Sequence, residues 1–234
     1  MKRQSANEVA ERQDMSDELP APMFLADSPG LDFLNSIAVP VDTQVEWLAD
    51  GAGLLNWLDQ AKLVHTDILR EIASNAGPGE LDAVAGQARA LREWFRGFVL
   101  QHKGSRLTRA AIDELEPLNR VLARDEVYGQ IVLRDPTHLG PDAPSPLEFM
   151  ARRRWRSPEA LLLPIAKTLA DLVATANFAH IKHCEGSACT ILFLDTSRGH
   201  IRRWCSMAIC GNRAKQALHR ARRRTVKEGD PASR

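Results

Sequence analysis

Every cysteine of the chain falls in its last quarter, in the order Cys184-x4-Cys189-x15-Cys205-x4-Cys210. Two close pairs separated by a short span supply what a closed tetrahedral thiolate site for zinc needs, and four intervening residues lie at the edge of the usual spacing. In a reducing compartment, clustered cysteines read as metal ligands in preference to disulfides. The four thiols complete one structural Zn2+ site. His180, His183, His200 and His219 are therefore not needed as ligands, and a catalytic zinc, which keeps an open position, is disfavoured.

The charge pattern divides at the same place. Residues 180 to 234 hold 12 Lys/Arg against 4 Asp/Glu, which leaves 19 against 26 for residues 1 to 179 of the chain's 31 and 30. Between Asp195 and Glu228 there is no acidic residue, while ten Lys/Arg fall there. A metal-pinned scaffold with that surplus points towards phosphate. We single out Arg202, Arg203, Arg213, Lys215, Arg220, Arg223 and Arg224 as nucleic-acid contacts.

Local patterns give the module an order. Cys184 to Cys189 forms a knuckle rich in small residues. Thr190 to Leu194 reads as a strand, and Asp195 to Gly199 as a turn with Gly199 at positive φ. His200 to Trp204 then returns as the second strand of a hairpin, with Trp204 as a core plug. Cys205 ends the hairpin and Cys210 opens a final helix, whose N-terminus favours thiolate. Ala214, Ala217, Leu218 and Ala221 form an apolar stripe able to lie on the hairpin. Knuckle, hairpin and helix together resemble a treble-clef-like zinc finger.

The rest of the chain reads as mainly α. Residues 1–20 form a polar leader, 21–179 an α-rich domain, 180–226 the finger and 227–234 a tail. Helical periodicity gives two short turns around Asp50-Gly51 over Val45 to Leu58, then runs through Thr66 to Ala76 with Thr66 as cap, and from Leu81 to His102. Thr108 caps a further helix that Pro117 divides. Val127 to Leu133 reads as a strand pairing into one small hairpin with residues near 147 to 155, across a loop punctuated by Pro136, Gly140, Pro141, Pro144 and Pro146. Ser157-Pro158-Glu159 opens a helix over 160 to 180. Asp32 and Asn35, polar inside the apolar run Leu31 to Ile37, read as turn or cap residues before ligand contacts. Arg152, Arg153, Arg154 and Arg156 read as a solvated basic strand before a site for an anionic effector or a DNA-backbone contact beside the finger.

The spelling of the cysteine region is similar to a known family. Phe193, Asp195, Ser197, Arg203-Trp204-Cys205-Ser206-Met207 and Cys210-Gly211-Asn212-Arg213 closely resemble the CGNR zinc finger over residues 181 to 224. In that family the finger follows a stress-induced transcription regulator domain, ABATE, whose opening motif Leu31-Asp32-Phe33-Leu34-Asn35 resembles. The resemblance implies a regulator bound to double-stranded DNA, with an N-terminal domain that senses a signal or mediates dimerisation. A homodimer fits that reading, and the effector is left open.

No phosphate-binding glycine loop, nucleophile elbow or His-Glu-x-x-His pattern occurs, so enzymatic chemistry has little support. Neither a signal peptide nor a membrane-length apolar run appears, and we expect a cytoplasmic protein. Two alternatives stay open: an RNA-binding module, and a protein-interaction adaptor with a purely structural zinc site.

Overall fold

A computed structural model describes residues 20–39, 43–134 and 145–228, with side chains through Ala221. Most of the expected leader, the loop prolines 136, 141 and 144, and the end of the tail lie outside the described residues.

The first ordered helix, α1 (Pro29–Leu34), is short and almost wholly buried. Pro29 sits in its first turn, where its missing N–H costs nothing. Gly30 allows the close approach to the later helix that covers it, since a Cβ there would lie 2.8 Å from the Thr168 carbonyl oxygen. A minimal ribbon follows, β1 (Ile37–Ala38) paired antiparallel with β2 (Val45–Glu46). Next come α2 (Gly51–Gln60), capped by the Asp50 carboxylate on the Gly53 N–H at 2.8 Å, and α3 (Thr66–Asn75). The cap of α3 is His65, whose Nδ1 accepts from the Asp67 N–H at 3.3 Å; Thr66, expected as the cap, already belongs to the helix and gives its hydroxyl to Asp59.

The long helix α4 (Glu80–His102) is the beam of the structure. Its inner face buries Val84, Ala88, Phe95, Phe98 and Val99. It also buries Arg92, only 2% exposed, which grips Glu46 with both terminal nitrogens and donates to the Ser36 hydroxyl. The expected helix beyond Thr108 is divided at Leu115 into α5 (Ala111–Glu114) and α6 (Glu116–Leu122), with Pro117 in the first turn of the second. Thr108 contributes its carbonyl and not its side chain to that start.

The expected hairpin is present as β3 (Val127–Leu133) and β4 (Leu147–Arg153), in the register Ile131 opposite Phe149. A 3-10 turn at Pro158–Leu161 leads into α7 (Leu162–Thr175), shorter than the expected helix because Ala176 turns extended. A second 3-10 turn at Phe178–His180 delivers the chain to the cysteine region. There β5 (Ile181–His183) pairs antiparallel with β6 (Leu192–Leu194), and the last helix is α8 (Asn212–Glu228).

The buried residues form one cluster running from Leu31, Phe33 and Trp57 through Phe95, Leu169 and Phe178 to Ile191, Phe193 and the four cysteines. The fold is thus mainly helical with three small two-stranded sheets among the described residues. No helix among those residues is long and apolar enough to cross a membrane.

Candidate metal centre and basic helix

The hairpin of the finger brackets the first knuckle. Its second strand is not His200 to Trp204, as propensity suggests, but Ile181–His183, which precedes Cys184. The reason lies in Asp195, almost fully buried. Its carboxylate takes the Ser197 N–H at 3.1 Å, the Ser197 hydroxyl at 2.6 Å, the Arg202 N–H at 2.9 Å and the Lys182 ammonium at 2.7 Å. These bonds wrap residues 195 to 202 round one side chain and consume the backbone that a strand would have offered. Burial alone would raise the Asp195 carboxyl, but Lys182, Ser197 and Arg202 outweigh it and hold the group below the usual carboxylate range. The left-handed residue of the turn is His200, at φ 48°, and not Gly199. Its ring stacks on His180 with centroids 3.6 Å apart.

The knuckle closes through Cys189 N–H to Gly186 carbonyl at 3.1 Å. A Cβ on Gly186 would stand 3.0 Å from the Cys210 sulfur, so a larger residue would crowd the ligands. Met207–Gly211 forms a single π-helical turn, with the Cys210 and Gly211 amides both donating to the Ser206 carbonyl at 3.0 Å. This wide turn aims Cys210 inward just before α8 begins.

All four sulfurs lie within 4.8 Å of one another and all four cysteines are buried. Tetrahedral thiolates about 2.3 Å from zinc are about 3.8 Å apart. The Cys189–Cys205 and Cys205–Cys210 separations are 3.8 Å and 3.7 Å. The Gly186 and Cys205 amides point at the Cys184 sulfur, 3.5 Å and 3.3 Å away, as donors suited to a thiolate. The Arg213 guanidinium lies 3.9 Å from the Cys210 sulfur. Without a cation such thiols compete for protons. A hydrogen bond from Cys205 holds Cys189 down, whereas that same bond and burial push Cys205 up, and burial with the Cys189 charge pushes Cys210 up. A divalent ion removes the conflict by neutralising the set. The donor set fits one structural zinc, and among the described residues no histidine joins it.

The finger is stitched to the N-terminal segment. Asn35 donates its side-chain amide to the Leu192 carbonyl at 2.8 Å and accepts the Leu192 N–H at 3.0 Å. The Leu194 N–H reaches the Ala26 carbonyl at 2.9 Å, and the Val39 N–H the Thr190 hydroxyl at 3.0 Å. Asp32 acts as a turn residue, accepting the Ala26 N–H at 3.0 Å. The outer edge of β6 is thereby closed.

The basic residues have different fates. Arg202 is turned inward: it bonds Asp27 and the carbonyls of Leu25, Trp204 and Cys205, and lies over the buried Phe193 ring at 4.3 Å. Arg203 is exposed, paired with Glu185 at 2.6 Å and stacked over Trp204, which is partly buried against the core. Lys215 and Arg220 are exposed on α8, and Arg213 is half-buried at its start. Arg223 and Arg224 lie on the same helix, their side chains outside the described residues. The expected apolar stripe does not lie on the hairpin: Ala217, Leu218 and Ala221 are all exposed, Leu218 by 55%. The Arg152–Arg156 cluster is largely paired, Arg153 with Asp125 and Arg154 and Arg156 with Glu126.

Sequence-family comparison bears on both parts. The ABATE family, described as a putative stress-induced transcription regulator, matches residues 27–176, more than half of the chain. The chain belongs to the ABATE family. The CGNR zinc finger matches residues 180–223, so the chain has the ABATE and CGNR architecture and its four-cysteine set is a zinc-finger site. Neither family is an enzymatic one. No curated protein matches the chain in a sequence search.

Proposed function

We propose that this ABATE protein is a non-enzymatic, DNA-binding transcriptional regulator in which the zinc-pinned finger, residues 180–226, presents α8 to duplex DNA. In this reading residues 21–179 are the regulatory part, sensing a signal or bringing copies together, and the protein works in the cytoplasm. The observation that supports it is α8 itself. The helix begins two residues after the fourth cysteine, exposes Lys215 and Arg220, and meets no acidic residue before Glu228. Positions 213, 220 and 224 recur at seven and four residues, the spacing of one helical face. Arginines so placed suit phosphate contacts and entry into the major groove. Arg203 can join them by leaving Glu185, since an exposed ion pair is worth little. Arg202 is left out, because its donors are engaged by Asp27, Leu25 and the finger's own carbonyls.

The test is selection of zinc-loaded full-length protein against a mixed random pool of duplex DNA and structured RNA, followed by a salt series on the winner. Enrichment of a DNA motif, with log affinity falling about 0.9 per phosphate contact against log salt, supports the reading. Recovery of RNA alone, or no enrichment, overturns it in favour of an RNA-binding module or a protein adaptor.

A further inference from the structure

The β3–β4 ribbon projects from the helical body, exposed along nearly its whole length. Directly opposed residues of an antiparallel pair share a face. The register therefore gathers Val127, Ile131, Leu133, Leu147 and Phe149 on one side. They are 58%, 60%, 76%, 48% and 72% exposed. The one charged residue on that side, Arg153, is held by Asp125 at 2.6 Å and 2.7 Å. The opposite side carries Tyr128 and Arg152, with the Arg154 guanidinium 4.6 Å from the Tyr128 ring centroid. A two-stranded ribbon is marginal in water by itself, and monomers seldom expose a continuous apolar patch of this extent.

We propose that the Val127/Ile131/Leu133/Leu147/Phe149 face is the contact between two copies of this chain, packed ribbon on ribbon about a two-fold axis. The area suffices: five large side chains at these exposures present on the order of 600 Å2 per copy, so complete coverage of both faces would bury on the order of 1,200 Å2, where specific interfaces begin. The charge distribution also suits a second copy. The apolar faces meet without uncompensated charge, while the arginine-bearing faces point away from each other, as an isologous contact allows. Residues 1–19 contribute only Met1, Val9, Met15 and Leu19 as large apolar side chains, and residues 135–144 only Leu139, which is little with which to cover the face from within. The inference stands on the ribbon alone and requires neither nucleic acid nor the finger.

The experiment is sedimentation velocity of zinc-loaded full-length protein from about 1 to about 100 µM, without nucleic acid. A reversible monomer–dimer equilibrium is expected. The Ile131→Lys/Phe149→Lys variant should weaken it by at least about 100-fold while zinc content and circular dichroism stay unchanged, because both side chains are already exposed in the single chain. Leu133→Glu, at the far end of the ribbon, serves as an independent second variant and decides the matter if the double variant loses zinc. Wild-type protein that stays monomeric throughout, or a folded variant that dimerises like wild type, overturns the proposal. So does a monomer whose ribbon amides lose hydrogen-exchange protection on removal of residues 1–19, which would make the leader the occupant.

Discussion

Asn35 and Leu192, 157 positions apart, exchange two hydrogen bonds, the side-chain amide of one pairing with both backbone groups of the other at 2.8 Å and 3.0 Å. A side chain here takes the place of a neighbouring strand on the open edge of β6. Asn35→Ala leaves the buried N–H and C=O of Leu192 without their partner, each costing about 1–3 kcal/mol when unsatisfied. We expect zinc-loaded Asn35→Ala to lose about 2–4 kcal/mol in urea unfolding. A loss under about 0.5 kcal/mol would mean that water replaces the side chain without penalty.

Metal retention and nucleic-acid affinity should separate by residue. Cys184→Ser and Cys210→Ser should abolish stoichiometric zinc, whereas Arg220→Ala should keep it. Gly186→Ala, forcing a methyl group towards the Cys210 sulfur, should lower zinc affinity about tenfold or more, as disturbed surroundings of ligands do. Competition with a chromophoric chelator measures all four, and equal zinc loss in Arg220→Ala would end this division of roles.

Asp32 links stability to pH. Burial pushes its carboxyl up to about 6, against the opposing pull of the Ala26 and Leu25 amides. The folded chain thus holds this proton more tightly than the unfolded one, so its contribution is fully present below about 4 and is lost as pH rises through about 6. Asp32→Asn keeps an acceptor for Ala26 and carries no charge. It should be more favourable relative to wild type at pH 7.5 than at pH 5 by about 1 kcal/mol in chemical unfolding. A pH-independent difference would show that the carboxyl is not perturbed.

The buried Arg92–Glu46 pair should behave asymmetrically. Removing only Glu46, by Glu46→Ala, leaves the buried guanidinium to Glu93, at 2.8 Å, and should cost about 1–3 kcal/mol, while replacing both members of the pair by apolar residues, Arg92→Met with Glu46→Leu, should cost less. A double variant as unstable as the single one would show that the other bonds of Arg92, to Glu93 and to the Ser36 hydroxyl, dominate.

Much of this architecture is legible in the chain because the signals are strong and local. The cysteine spacing predicts the four-sulfur cluster, the apolar period from Leu81 to His102 predicts α4, and the β-branched run from Val127 predicts its hairpin. What escapes depends on partners distant in sequence. The segment His200 to Trp204 reads as a strand from its own residues, but Asp195 gathers its backbone and excludes it from the sheet. Asn35 reads as a local cap because nothing nearby shows that Leu192 lacks a neighbour. One further signal is available: in an extended segment adjacent side chains face opposite ways, so Arg202 and Arg203 could not both point outward. The exposed Ala217–Leu218–Ala221 stripe of α8 shows the limit of periodicity, which identifies an apolar face without showing that anything covers it.

Arg202, wedged between Phe193 and Asp27, bears on how such a finger can be inherited. A unit cut out at residue 180 would keep every metal ligand and still leave a guanidinium without its carboxylate and a β6 edge without Ala26 and Asn35. Gene fusions that move the cysteine region alone should therefore yield sticky, poorly folded products, because an open strand edge recruits other chains. Recombination that carries the Leu25–Val39 segment along with the finger preserves both contacts, which ties two segments distant in sequence into one heritable unit.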